Sequence, residues 1–484
     1  MKKWLLSLLV IAQIVIAVPL FTGCKKEQKV YSRYEINAEY LPETATLTGT
    51  VKVSFENATD NELSLLKFAL YPNAYRKNAL YSPISKTVKN QAYYQGDSYG
   101  EMVISSVNGA KSWEIAGEDE NILYAYLPQS LYPEDKVVLD IAFMTKLAKV
   151  NHRTGVSETA IHLGNAFPIL CAWGKDGFIE TVYYSDGDPF LSDCADYTLT
   201  LKLPKDYLVA STGELTKERT LESKKEYDFT ANKVREFALV LSKNFQVKTA
   251  RANGKTVAYY YTADENADKT LALAVESFCY FESVFGEYPY PCYTLVQTSL
   301  CLGGMEYPML SMLSTSLKER ELTRAVVHET AHQWWYGVVG SNQIENAWQD
   351  EGLAEYSALC FFKAYEKYEV KREDEVANAL KEYRSYYDVY GSVLGRTDTK
   401  MQRHLKDYLT EYEYKCISYD KAVVMFDTLR KSVGDKKFFQ ALKKYYAENH
   451  YKIASPESMI GSFEKTGVDV AGFFDGFLQG KGVL

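Results

Sequence analysis

What most restricts the fold of this chain is a change in the spacing of its apolar residues about halfway along. From about residue 30 to 250 apolar and polar residues alternate. Leu47, Val51, Val53 and Phe55 interleave with Thr48, Thr50, Lys52 and Ser54. Val137, Leu139, Ile141 and Phe143 repeat the pattern, as do Tyr197, Leu199, Leu201 and Leu203 before Pro204. Successive side chains of a strand point to opposite faces, so a period of two marks half-buried strands. Turn signals such as Tyr71-Pro72-Asn73 and Asp186-Gly187-Asp188-Pro189 separate the runs. Then the period changes. Leu271, Val275, Phe278, Phe281 and Phe285 fall three or four apart, the stripe of an amphipathic helix that Gly286 ends. Helical spacing continues through 321–336, 348–365, 420–432 and 436–448, and Ser455-Pro456-Glu457 opens a last helix with an N-cap and a first-turn proline. The expected architecture is therefore multi-domain α and β: an all-β region, a twisted sheet or sandwich, followed by an α+β region. The switch falls between 246 and 266, which divides the chain into 24–250 and 251–484. No Pro/Ser-rich linker lies there, so the two parts are expected to pack closely.

At 484 residues the chain has room for two or three domains. With 55 Lys and Arg against 63 Asp and Glu the net charge is −8, which argues against nucleic acid as the main partner, since phosphate neutralisation needs clustered positive charge. At the N-terminus Lys2 and Lys3 precede an apolar stretch over 4–21, which runs into Leu20-Phe21-Thr22-Gly23-Cys24. A basic start and an apolar core make a secretory signal. Small residues directly before a cysteine resemble the lipobox of bacterial lipoproteins, in which cleavage leaves the cysteine carrying lipid. The expectation is a signal peptide over 1–23 and a membrane anchor at Cys24, placing the protein outside the cytoplasm in a bacterial envelope. An uncleaved spanning helix is the competing reading, disfavoured by Gln13 and Pro19 inside the stretch. The cysteines after Cys24 form no C-x-x-C pair, so buried thiols with at most one or two bridges are expected.

His328-Glu329-Thr330-Ala331-His332 carries the chemistry. Residues four apart share a helical face, so both imidazoles can reach one metal ion, while the intervening glutamate can act on a water without ligating the metal. A buried histidine pair on an apolar helix can also be mere packing. Against that, 18 residues separate His332 from Glu351, which opens Glu351-Gly352-Leu353-Ala354-Glu355. Two histidines and a carboxylate with a fourth position open is the layout of a catalytic zinc site. Glu355, one turn beyond Glu351, is placed to accept a hydrogen bond from a ligand imidazole.

Gly303-Gly304-Met305-Glu306-Tyr307-Pro308, the H-E-x-x-H sequence and the 18-residue gap to Glu351 together resemble the M1 family of zinc aminopeptidases, the gluzincins related to leukotriene A4 hydrolase. Ser418-Tyr419-Asp420-Lys421-Ala422 matches the family's tyrosine-containing segment. Gly187-Asp188-Pro189-Phe190 and Val234-Arg235-Glu236-Phe237-Ala238 resemble segments of its N-terminal β domain. The resemblance implies a thermolysin-like zinc-peptidase domain, with His328, His332 and Glu351 binding one Zn²⁺ per chain. Glu329 would be the general base and Tyr419 would hydrogen-bond the oxyanion. Gly303, Gly304, Met305 and Glu306 would form the substrate strand, with Glu306 holding the free α-ammonium. The chain departs from the family in having Tyr307 where asparagine is usual and in showing no match to the β-domain glutamine. It stops at Leu484, so it is expected to be a short lipoprotein member without the large C-terminal helical domain.

The function expected on these grounds is zinc-dependent removal of N-terminal residues from peptides by a metal-activated water, at the outer face of a membrane. Two alternatives differ in class. One is a zinc endopeptidase or non-peptide hydrolase on the same scaffold, and Glu306 speaks against the endopeptidase. The other is a non-catalytic binding or sensor lipoprotein, which would need neither Glu329 nor Tyr419.

Overall fold

A computed structural model describes residues 30–395 and 397–481. The signal peptide and Cys24 expected from sequence lie outside the described residues. Among those described, no helix is long and apolar enough to cross a membrane.

The alternating residues form the strands they predict. A seven-stranded sheet runs in the order Glu214–Thr220, Lys224–Val234, Ala195–Pro204, Ser32–Leu41, Thr46–Glu56, Lys136–Lys146, Glu101–Asn108. Its one parallel junction joins Ser32–Leu41 to Ala195–Pro204. Leu47, Val51, Val53, Leu139, Ile141, Leu199 and Leu201 are buried on one face, and Leu66, Phe68 and Leu123 of a four-stranded sheet join the same core. A further sheet contains Leu208–Ser211, Leu239–Ser242, Ile161–Leu163 and Thr154–Val156.

Sheet membership changes between Ser242 and Gln246. The strand Gln246–Ala252, inside which the sequence boundary falls, already belongs to the next sheet. That sheet is ordered Gln246–Ala252, Lys255–Tyr261, Cys292–Thr298, Leu310–Ser314, Gly304–Met305. Its middle strands are parallel, and the two-residue edge strand Gly304–Met305 pairs antiparallel with Leu313 and Met312. Parallel strands need a crossover, and the helix Ala267–Phe285 supplies it. It buries Leu271, Phe278, Phe281 and Phe285 and stops at Gly286, whose φ is +139°.

The helix Glu319–Ala331 packs against this crossover helix. It ends five residues short of the end of the 321–336 span read from periodicity. Trp335 and Tyr336 keep the apolar spacing, but His332 to Val339 fold into tight turns, with Tyr336 at φ +136°. Arg235 from the β region holds those turns. Its guanidinium donates to the Tyr336 carbonyl at 2.8 Å, to those of Ser192 and Val338, and to that of Lys452.

Two later segments depart from α geometry. Trp348–Gly352 is a π-helical turn leading straight into the helix Leu353–Ala364, and Cys416–Asp420 is another, between Glu411–Lys415 and the helix Lys421–Val433. The two turns pack against each other. A Cβ at Gly352 would lie 2.9 Å from the Ser418 carbonyl and collide with Ala422, so only glycine fits. Cys171, Cys279, Cys292, Cys301, Cys360 and Cys416 carry free thiols.

Candidate metal centre and active site

The metal ligands expected from sequence come together. His328 Nε2 and His332 Nε2 are 3.0 Å apart, and each lies 3.3 Å from Glu351 Oε2. What sits on the far side of each ring decides its tautomer. His328 Nδ1 is 2.9 Å from Glu355 Oε2, and His332 Nδ1 is 2.8 Å from Asp350 Oδ1 and 3.0 Å from the Trp335 carbonyl. These partners can only accept, so both Nδ1 atoms carry protons and both Nε2 atoms present lone pairs. Three electron pairs thus converge, an arrangement that calls for positive charge between them, either a proton or a metal ion. Ligands about 2.1 Å from a tetrahedral zinc stand roughly 3.4 Å from one another, so the donor set fits. The electrostatics ask for the same charge. Burial opposes protonation of His328, yet Glu351 and Glu355 outweigh it and hold its pKa up at about 9.

Each carboxylate around this centre is itself held. Arg324, one turn before His328 on the same helix, donates to Glu355 Oε1 at 2.7 Å and to Glu375 Oε2 at 2.6 Å. Burial works against the charge of Glu355, but His328 and Arg324 prevail and hold its pKa at about 2, so it remains an acceptor. Gln343 donates to Asp350 in the same way. The π turn puts Asp350 and Glu351, adjacent in sequence, to work on one histidine pair, with Asp350 behind His332 and Glu351 between the two rings.

A cavity of about 740 Å³ opens onto this centre. Gly303, Gly304 and Glu306 line one wall, and Glu329, Tyr414 and Tyr419 face it. Gly304 is required because a Cβ there would strike the Glu329 carboxylate. The Tyr419 ring lies 6.2 Å from the His328 ring, nearly parallel to it. Met305 is fully buried and turns its sulfur to Arg153 Nε at 3.0 Å, so it does not line the cavity. Tyr307 is also fully buried, its hydroxyl against Gly164, and it faces the β region instead of the cavity.

Glu306 is 4% exposed, and its Oε1 has no hydrogen-bond partner among the described residues. Burial, then the neighbouring Asp188, pushes its carboxyl well above the usual range, the condition of an acid short of a counter-charge. Carboxylate oxygens of Asp188, Glu306 and Glu351 lie within 4.8 Å of one another. Asp188 already has a partner in the buried Arg153. Orphaned buried polar atoms are rare in folded proteins, yet Glu306 Oε1, Glu329 Oε2, Glu351 Oε2 and the Tyr414 hydroxyl all belong to residues of this one cavity.

Sequence reasoning missed Arg324, Asp350, Arg153 and Tyr414 and quoted Asp188 only for its place in a β segment. Arg324 was within reach, since residues four apart on a helix are neighbours. The others depend on tertiary placement.

A histidine pair four apart at the end of a helix, a glutamate from the π turn that opens the next helix and a carboxylate between the histidines, all beside a sheet edge, have the donor layout of a zinc metallopeptidase centre. Residues 269–477 match the family model of the peptidase family M1 domain. Aminopeptidase N of Lactococcus lactis subsp. lactis is 24% identical over 267 residues, 49% of this chain and 29% of that protein. Aminopeptidase B of Rattus norvegicus is 28% identical over 178 residues, 34% and 26% of the two chains. The chain thus spans under a third of the length of these relatives. The crystal structure of an M1 zinc metallopeptidase from Deinococcus radiodurans superposes with a TM-score of 0.67 over 94% of this chain and 95% of that one, at 17% identity. A variant of that enzyme bound to a Tyr-Ser-Ala substrate superposes at 0.64, over 94% and 95% of the two chains, at 18% identity. The fold is that of a two-domain M1 zinc metallopeptidase.

Proposed function

We propose that the protein is a zinc aminopeptidase that hydrolyses the first peptide bond of peptides with a free N-terminus. The observation that carries this reading is Glu306, a buried carboxylate whose Oε1 has no hydrogen-bond partner among the described residues, a few ångströms from the ligand Glu351. An α-ammonium seated there puts the first carbonyl beside the metal ligands. An internal peptide segment would leave that carboxylate desolvated and unpaired. The neighbour crystallised with a tripeptide supports a peptide as the substrate class.

His328, His332 and Glu351 would hold the zinc, whose chemistry when bound is to polarise the carbonyl and acidify a water. The remaining steps belong to this chain's own groups. Glu329 is placed to take a proton from the attacking water and return it to the departing amine. Tyr419 donates to the carbonyl oxygen as that oxygen gathers negative charge. Glu355 and Asp350 keep both imidazoles in the tautomer that presents Nε2.

Aminoacyl reporter substrates assayed beside N-acetylated copies, with and without a chelator, test the reading. Free-amine substrates should react at least about 100-fold faster, the worth of a desolvated charged contact of a few kcal/mol, and the chelator should abolish both rates. Equal rates on blocked and free peptides, or initial cutting at internal bonds, would refute the aminopeptidase.

Residues 2–24 motivate a second element of the proposal, anchoring at Cys24 outside the cytoplasm. Wild type should then partition with membranes and Cys24→Ala should not. A soluble wild-type protein with an unmodified residue 24 would end that idea.

A further inference from the structure

Tyr414 is 5% exposed, and its hydroxyl is buried with no hydrogen-bond partner among the described residues. It lines the catalytic cavity beside Tyr419, Glu351 and Asp188. In an α-helix, residues five apart point about 140° away from each other. A π turn bonds each carbonyl to the amide five residues on and so stacks such residues. The turn Cys416–Asp420 makes that bond, from the Lys421 amide to the Cys416 carbonyl. Tyr414 and Tyr419 accordingly meet on one face, with ring centroids 5.9 Å apart and edge to face. The opposite wall makes room for the hydroxyl. Gly187 has φ +78°, and a Cβ there would lie 3.1 Å from the Tyr414 oxygen and 2.7 Å from Leu405.

A buried hydroxyl without a partner makes the protein less stable than phenylalanine would at the same place. Packing does not account for it, because the ring alone makes the contacts with Tyr408 and Tyr419. The group is spare until something polar enters the cavity. Burial, then the facing carboxylates of Glu351 and Asp188, pushes the phenol well above its ordinary range, so it remains a donor.

We propose that Tyr414 is a second catalytic phenol, donating to the oxygen of the scissile carbonyl beside Tyr419 as charge develops there. This rests on the aminopeptidase reading and extends it, since nothing in the sequence motif around Tyr419 asks for a partner.

Tyr414→Phe keeps the ring and removes only the spare hydroxyl. With zinc-loaded protein and a free-amine dipeptide substrate, kcat should fall tenfold or more, while KM stays within about twofold and zinc content is unchanged. Affinity for an α-aminophosphonate peptide, whose tetrahedral oxygens imitate the transition state, should fall by the same factor as kcat/KM. The melting temperature should equal or exceed that of wild type. Unchanged kcat would overturn the proposal. So would an effect confined to KM, or a loss of melting temperature, either of which gives the hydroxyl a different task. Wild type inert on every free-amine substrate would instead sink the aminopeptidase reading, and the two failures are distinct.

Discussion

The helix Glu319–Ala331 and the paired π turns at Trp348–Gly352 and Cys416–Asp420 build one site by opposite means. The helix is regular, and its chemistry follows from period alone. Arg324, His328 and His332 recur every four residues, so one face presents both imidazoles together with the arginine that steadies Glu355. The π turns break period, and that is how they act. Asp350 and Glu351 serve the same histidine pair although they are neighbours in sequence, and Tyr414 and Tyr419 share a face although five residues apart. The wider turn costs hydrogen-bond quality, which packing restores: Gly352 is small enough for the two turns to lie in contact. Regular helix positions two of the three metal ligands, while the irregular turns supply the third, Glu351, and aim Tyr414 and Tyr419 into the cavity.

Substitutions can break this comparison, beginning with the largest effect. His332→Ala should remove most of the zinc and with it all activity, since both ligand geometry and charge are lost. Zinc retained in full would show that the ligand set is wrong. Glu329→Gln lies on the same regular helix and should leave zinc in place while turnover falls by about 10³ or more. Metal analysis beside kinetics separates it from a ligand. Tyr419→Phe, on a π turn, should also keep zinc and lower kcat by something like 10²–10³, and wild-type turnover there would move the oxyanion role to another phenol. The smallest effect falls on the outermost layer. Arg324→Ala frees Glu355 but leaves its contact with His328 possible, so zinc affinity measured by chelator competition should weaken by up to about tenfold. Arg324→Lys should recover only part of that, because a single ammonium cannot span Glu355 and Glu375 as the guanidinium fork does. An unaltered affinity would make Arg324 a surface residue with no bearing on the metal.

The legible and illegible parts of the molecule divide along the same line. The period-two strands, the crossover helix and the ligands His328, His332 and Glu351 were all readable, because each is a local pattern with a local cause. The early end of the histidine helix was not. Trp335 and Tyr336 continue the apolar spacing, and it is Arg235, about a hundred residues earlier, that holds the carbonyls of Tyr336 and Val338 outside helical register. Met305 and Tyr307 show the same limit. They sit in a glycine-flanked strand beside Glu306, and sequence could not tell that their side chains turn to Arg153 and Gly164 and away from the cavity. Tyr414 was hidden because helical arithmetic assigns it to the wrong face.

The knot at Arg235 has a mechanical consequence. One permanently charged group of the β region, itself buried, donates to three carbonyls of the catalytic region, those of Tyr336, Val338 and Lys452. Prising the two parts open there would strand a cation in a dry interior, at a cost of several kcal/mol. The opposite rim is fastened far more lightly, by the exposed Glu411 accepting from the hydroxyls of Ser85 at 3.1 Å and of Thr87. The contact of Ser85 and Thr87 with Glu411 is the weaker of the two fastenings, so widening that admits a longer peptide is expected to part the 82–88 segment from Glu411 with Arg235 as the axle. Backbone amides over 82–88 should exchange hydrogen sooner than those over 336–341, and the reverse order would place the axle elsewhere.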